Sequence, residues 1–395
     1  VRILYLCQRI PYPPDRGDRI PVFHQIRRLS KTHEVVVGSL AHPETRKNAD
    51  MLEMELGVKV LAPDHSRLWQ TKEMMMAFLQ RKPLSLGYFR NRRLHALVDK
   101  DFTKKKFDAI IVFSSSMAQY AEYYGHIPRM MHFCDVDSQK WHSMGQASHG
   151  IMRWIYERES RTLLDYERKI AAEFNASCVV SQNEADLFRK HIPGIPVYVI
   201  ENGVDVDYFS AIPRHPERLN IVFVGVMDYD PNIEAVTFFV NRVWDKIRIL
   251  HPRARFTIVG SKPTKKICDL ARNPSIKVTG YVSDIRSYLA SATLAIAPLA
   301  IARGVQNKIL EAMAAGVPVL TTPGVAKGLP SGAESLIFTA DREAETFASA
   351  LLEIVNNKIA REEQAAKARK FVQQQCTWEA KLQKLDDLLL RIAQK

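Results

Sequence analysis

Short apolar runs recur along this chain, each followed by a longer stretch with helical spacing, and the alternation restarts midway. Parallel strands joined by helical crossovers satisfy such a pattern, because each crossover helix covers a face of the sheet it leaves. In the first half strands are expected at Ile3–Cys7, Glu34–Ser39, Val58–Ala62, Ala109–Phe113, Met130–Phe133, Cys178–Ser181 and Val197–Ile200. The second half repeats the scheme at Leu219–Val224, Arg255–Val259, Ile276–Thr279, Thr293–Ala297, Val317–Thr321 and Ser335–Phe338. Helices are expected over Ile20–Ser30, Met152–Asn175 and Pro231–Leu250. The polar, proline-containing stretch Ser210–Arg218 reads as the linker. The expectation is two doubly wound α/β domains, 1–212 and 213–376, with a C-terminal helix over 377–395 returning to complete the first. Ligands bind at the carboxyl ends of parallel strands, so a cleft between two such sheets suits a two-substrate transfer.

A chain of 395 residues is long enough for two cores, and 46% hydrophobic with 25% charged residues is ordinary globular composition. No apolar run is long enough to span a bilayer, and no secretory signal is expected, since a strand pattern opens at Ile3. Five cysteines without C-x-x-C spacing point to neither a disulfide framework nor a zinc site, and a reducing cytoplasm is the simplest expectation. The net charge of +13 attracts an anionic partner without choosing which. Between His65 and Phe107 eleven Lys/Arg stand against three acids, interleaved with Trp69, Met74, Phe78 and Leu79. That mixture suits an anionic membrane surface, and it equally suits a solvated helical pair packed on its own domain.

The segment from Ala297 to Leu320 carries the most chemistry. A strand ends at Pro298, a loop carries Arg303 and Gly304, a helix runs from about Val305 to Ala315, and Gly316 stops it. The helix N-terminus then points at the strand-end cleft, where free amides and the dipole favour a phosphate. Lys308 adds a full charge, and Glu311, three residues on and on the same face, can accept hydrogen bonds from a ribose diol. An exposed Lys–Glu pair on an amphipathic helix is the plain alternative.

These residues resemble the donor-binding signature of the retaining glycosyltransferases of family 4, in which a Lys-x-x-Glu on this helix holds diphosphate and ribose. Ala302–Met313 is most similar to the exosortase-associated exopolysaccharide sugar transferases of that family. Gln8–Asp18, Asp135–Trp141, Ile200–Asp205 and Phe223–Asn232 resemble its other motifs in order and position, so the likeness runs along nearly the whole chain. The resemblance implies the GT-B fold, two Rossmann-like doubly wound domains facing across a cleft. It also implies transfer of a hexose from a nucleoside diphosphate sugar, a co-substrate rather than a cofactor, to a carbohydrate or lipid-linked sugar acceptor. Gly17, Gly225, Val282, Arg303, Gly304, Lys308 and Glu311 are thereby the donor-binding residues. Arg303 departs from the family, which often has a sugar-reading Glu at that position, and the Met227–Asn232 loop lacks the usual cations. A guanidinium at 303 fits phosphate rather than sugar hydroxyls.

In the first domain, Asp135 and Asp137 follow a strand, with Cys134 where many family members have His. One of these carboxylates can take a proton from an acceptor hydroxyl, or the pair can form an Asx turn or helix cap. His142 joins them as a candidate catalytic residue, whereas His132 reads as a packed core side chain. Ser181 reads as the cap of the helix that follows it. In the Gly280–Asp284 loop, Ser283 reads as a helix cap beside Val282. No metal is expected, since Asp135-x-Asp137 sits on the acceptor side. The location expected is cytoplasmic and peripheral to the inner face of the membrane. A non-catalytic sugar-nucleotide-binding protein of the same fold is the alternative, and a nucleotide-sugar epimerase a further one. No nucleic-acid-binding module is recognisable.

Overall fold

A computed structural model describes residues 1–216, 218–300 and 306–393 of the chain. It divides into two compact units, Val1–Glu201 with Leu382–Lys395, and Asn202–Lys381.

The first unit is built on a seven-stranded sheet of β1 (Arg2–Leu6), β2 (Glu34–Gly38), β3 (Lys59–Leu61), β4 (Ala109–Phe113), β5 (Arg129–Cys134), β6 (Ala176–Val179) and β7 (Val197–Val199). The strand order is β3-β2-β1-β4-β5-β6-β7 and every pairing is parallel. The second unit carries β8 (Asn220–Val224), β9 (Arg255–Val259), β10 (Ile276–Val278), β11 (Leu294–Ala297), β12 (Val319–Thr321) and β13 (Phe338–Thr339) in the order β10-β9-β8-β11-β12-β13, again all parallel. Both sheets therefore reverse their winding beside their first strand, between β1 and β4 and between β8 and β11. That reversal opens a ligand crevice at the carboxyl edge.

The central strands are buried on both faces, which is why they read as unbroken apolar runs rather than alternating ones. Leu4, Leu6, Ile110, Val112, Met131 and Phe133 fill the first core, and Val222, Phe223, Phe239, Phe256, Leu294 and Phe347 the second. At 0.8 kcal/mol or so per buried methylene, these strands supply much of the drive to fold.

The helix expected over 231–250 forms with one irregularity. Its middle, Phe239–Trp244, is a π-turn between Asp230–Phe238 and Asp245–Leu250. The wider turn puts residues five apart on one face. Phe239 and Trp244 then both reach Phe256, with ring centroids 4.7 and 5.8 Å away.

The units part at Glu201, ahead of the Ser210–Arg218 stretch. That stretch is not a tether. The His215 amide donates to Ala290 O and Arg214 donates to Ala292 O, with Arg214 also paired to Glu362 at 2.7 Å. Further upstream, Val204 N donates to Cys376 O, fixing the start of the second unit to its end. Proline and polarity mark a chain reversal, and in this chain the reversal is packed. The last segment, Leu382–Lys395, lies in the first unit, where Asp386 accepts from Arg28 at 2.7 Å.

Candidate functional site

In the second unit the chemistry gathers at the switch point. β8 runs into Gly225, and a Cβ there would lie 2.7 Å from Asn232 Nδ2 and 3.1 Å from Lys308 Nζ. The neighbouring turn is tighter still, since a Cβ on Gly260 would fall 1.8 Å from Gly225 O. Only glycines let these two strand ends and the lysine head come together. The helix Asn307–Ala314 starts here, and its N-cap residue Gln306 does not cap the first turn with its own side chain. Gly316, at φ 71°, ends it as its sequence position indicates.

Lys308 is half-buried. Its Nζ donates to Asn232 Oδ1 at 2.6 Å and lies 4.6 Å above the Phe223 ring. Asn232 is oriented by its own amide, which donates to Val226 O at 2.9 Å. Burial lowers the Lys308 pKa to about 8, partly opposed by Glu311. Burial raises Glu311 to about 7, opposed in turn by Lys308. A cation held by a neutral amide and a ring face has spare capacity for an anion. Asn232 was not among the residues singled out from the sequence. Its signal was its place just after the first strand of the unit, where only a cation was sought.

Arg303 and Gly304 lie outside the described residues. The strand exit before them is pinned. Thr321 Oγ1 donates to Ala297 O, Thr322 Oγ1 to Leu299 O, and Arg342 Nε to Pro298 O, at 2.7, 3.0 and 2.9 Å. Val282 is half-buried against the core of this unit. Ser283 is not the cap of the following helix. The N-cap is Ile285, and Asp284 before it accepts from Arg286 N at 2.8 Å while its carboxylate also holds the Arg286 guanidinium. The Arg286 guanidinium stacks over Tyr208 at 3.8 Å.

These ionisations predict a pH window. Nucleoside diphosphate affinity should fall above about pH 8, as Lys308 loses its proton. The decline approaches tenfold per pH unit, because binding must then take up a proton. Below about pH 7 Glu311 protonates and loses its capacity as a pure acceptor. Calorimetry on either side of the window checks both limbs.

In the first unit, Gln8 Nε2 bridges the switch point to Ser114 Oγ and Ser116 Oγ at 2.7 and 2.8 Å. Ser114 and Cys134, at the ends of β4 and β5, have φ of 76° and 68°. Left-handed backbone at two non-glycine residues is strain, and strain of this kind gathers where function requires it. His132 is fully buried in β5, as expected, and its Nδ1 accepts from Cys134 N. Burial lowers its pKa to about 3.

Asp137 is the first residue of the helix Asp137–Gln146, whose N-cap is Val136, so neither aspartate is the cap residue. Two glutamates from other helices take the local amides: Glu184 Oε2 accepts from Val136 N at 2.9 Å, and Glu167 Oε1 from Ser138 N at 3.2 Å. Burial raises Asp137 to about 6, with Asp135 adding repulsion and Lys140 and Ser114 opposing. His142 does not join them. It lies five residues along the same helix, about 140° around it, and its exposed ring meets Gln146. Gly17 is in an exposed turn with open space about its Cα, so nothing in the protein itself demands glycine there. Ser181 caps its helix, accepting from Glu184 N at 3.3 Å.

Glu167 was missed in the sequence. It is fully buried on the helix Gly150–Glu173, between Leu163 and Ile170 on the apolar stripe, and a carboxylate on such a stripe is itself a signal. Burial raises it to about 8, with the Ser138 hydrogen bond opposing and Asp137 adding to the rise. Between its ordinary 4.5 and about 8 the folded protein therefore keeps a proton that the unfolded chain has released. Stability from this group is present at low pH and is lost as pH rises through that window. Glu167→Gln should flatten that slope and raise the melting temperature relative to wild type at pH 8 more than at pH 5. Thermal melts at the two pH values decide it.

Two parallel sheets wound in this manner make the GT-B glycosyltransferase architecture. Residues 218–357 match the model of the family described as Glycosyl transferases group 1. Its fold is similar to that of sucrose-phosphate synthase from Thermosynechococcus elongatus, at 13% identity, TM-score 0.73 and 99% coverage of both chains. It is similar as well to HepE from Anabaena in complex with UDP-glucose, at 16% identity, TM-score 0.69 and 99% coverage of both. WaaG, a glycosyltransferase involved in lipopolysaccharide biosynthesis, has 16% identity and TM-score 0.67, covering 97% of this chain and 98% of its own. No protein of curated function matches the sequence.

Proposed function

We propose that this chain transfers a hexose from a nucleoside diphosphate sugar to an acceptor hydroxyl, with retention at the anomeric carbon and without a metal ion. The observation that carries the reading is Lys308, held by Asn232 beside Gly225 at the start of a helix on the second sheet's switch point. The helix N-terminus and Lys308 take the charge that develops on the departing diphosphate, in the place a divalent ion would otherwise occupy. Glu311 accepts from the ribose hydroxyls, and Arg303 adds a second cation. As the bond from the anomeric carbon to diphosphate breaks, the acceptor oxygen bonds to that carbon and its proton passes to Asp137. At about 6, Asp137 is ionised at neutral pH and still basic enough to take it.

HepE holds UDP-glucose, so a UDP-sugar is the donor to try first. The acceptor we assign is a carbohydrate or lipid-linked sugar of bacterial exopolysaccharide or glycolipid synthesis, met on the cytoplasmic face of the membrane. None of the five cysteines forms a disulfide, in keeping with a reducing compartment. Among the described residues no helix is long and apolar enough to cross a membrane.

The test is a thermal-shift series with nucleoside diphosphates, followed by turnover of the matching sugar nucleotides with and without EDTA. UDP should raise the melting temperature, and its sugar should be consumed in both conditions. No shift with any nucleotide overturns the reading. Binding without turnover, even slow hydrolysis, makes the chain a non-catalytic nucleotide-sugar binder. Loss of activity in EDTA restored by manganese removes metal independence alone.

A further inference from the structure

The helix Arg67–Leu79 is amphipathic the wrong way round. Its buried residues are Gln70, Glu73 and Ala77, at the i, i+3, i+7 spacing of an inward face. The outward face carries Leu68, Trp69 and Leu79, exposed by 85%, 56% and 69%. Glu73 is turned inward against Arg90 and Arg92, at 3.7 and 3.6 Å, so the polarity is held in place by ion pairs. A globular core does not select this orientation.

A second element completes the surface. The first turn of the helix Gly150–Glu173 exposes Ile151 by 73% and Trp154 by 51%, and the Trp154 ring meets Phe78 at 6.1 Å. Arg158 fastens the two helices together: its guanidinium lies 4.7 Å over Phe78 and donates to Phe78 O and Lys82 O. The next residue of the same helix, Glu159, accepts from Leu84 N and Ser85 N at 2.6 and 2.8 Å. The patch is thus rigid rather than a loose tip. Between Ser66 and Lys82 the sequence has Arg67, Lys72, Arg81 and Lys82 against one acid, the inward Glu73, and Arg153 stands among the apolar residues of the second helix. The helix Arg92–Lys104, which the sequence grouped with this stretch, instead buries Leu94 and Val98 in the core.

We propose that this two-helix face docks the protein on an anionic lipid bilayer, the aromatic and aliphatic side chains entering the interface and the ring of cations meeting the headgroups. Apolar side chains flanked by Lys and Arg are what an acidic interface binds, whereas a protein partner of neutral surface would leave these cations unused. The inference rests on the proposed sugar transfer only in placing a lipid-linked acceptor at this face.

The test is flotation of the full chain with vesicles of equimolar phosphatidylcholine and phosphatidylglycerol. The wild type should float with them at low salt, and far less with pure phosphatidylcholine or at high salt. Trp69→Ser, Phe78→Ser and Trp154→Ser together should reduce partitioning on the order of a hundredfold. A cooperative melt at the wild-type temperature would show that this variant is folded. If it is not folded, Lys72→Glu with Lys82→Glu, both on exposed positions, decides instead by losing flotation. A wild type that stays at the bottom of the gradient overturns the proposal, as does a folded triple variant that floats equally. A dimer in gel filtration that the triple variant abolishes assigns the face to a second copy and also overturns it. Turnover of a sugar nucleotide with a soluble acceptor reads the transferase function separately: flotation without turnover leaves the docking face standing and removes the enzyme.

Discussion

Lys308→Met is expected to lower kcat/KM for the donor by about 10²–10³-fold, the usual effect of removing one preorganised group aimed at developing charge. Nucleoside diphosphate affinity should fall with it, since the ammonium sits at the helix start that a phosphate approaches. Stability should not fall. The wild-type cation is poorly solvated, held by Asn232 and the Phe223 ring, and an apolar cavity lined in part by Val222, Ile296, Ile309 and Val319 lies against it. An unbranched methionine is close to lysine in size, and the lost hydrogen bond to buried Asn232 costs about 1–3 kcal/mol, which removal of the desolvated charge offsets. The sign with pH follows from the lowered lysine pKa. Below about 8 the unfavourable charge is fully present in the folded wild type, and from there to the ordinary 10.5 the wild type gains stability as it deprotonates. The advantage of the variant should therefore be greatest below pH 8 and shrink above it. Calorimetry with UDP and melts across that range check the two halves. Unchanged nucleotide affinity would remove Lys308 from the donor site.

The sheets were legible in the sequence because parallel strands buried on both faces leave continuous apolar runs, as in Ala109–Phe113 and Arg255–Val259, whose bounds the structure reproduces. The helix Asn307–Ala314 was legible for a different reason: Gly316 at its end and Lys308 with Glu311 one turn apart are local features. What escaped was tertiary. Nothing local says that Glu184 and Glu167 will cap amides in the Asp135–Ser138 turn, because the partners are 48 and 29 residues apart. The π-turn at Phe239–Trp244 answers to Phe256, outside its own helix. The Arg67–Leu79 helix shows the limit from another side. Its periodicity reveals two faces, and only the Arg90 and Arg92 ion pairs to Glu73 reveal which one is turned inward. His142 was grouped with the aspartates by nearness in sequence, and the helical turn carries it away from them.

The reading of Asp137 turns on the same distinction between local and tertiary roles, and its substitution has the other large expected effect. Asp137→Asn should lower kcat by about 10²–10⁴-fold, the range for losing a positioned proton acceptor. UDP binding should survive, because the Lys308–Asn232 pair belongs to the other unit. Were Asp137 only a helix start, the loss would appear in the melting temperature and not in the rate. The structure argues against that outcome, since Val136 is the N-cap and Glu184 and Glu167 already satisfy the neighbouring amides. At neutral pH the substitution also removes a desolvated carboxylate that stands near Asp135 and Glu167, so stability should hold or rise slightly. The pH profile separates base from bystander. With Asp137 as the base, wild-type kcat/KM should fall about tenfold per unit below about pH 6, the value to which burial has raised this carboxyl. The residual activity of Asp137→Asn should lack that limb, and a limb that persists at the same pH would assign the proton to Asp135 or to another group and end the case for Asp137.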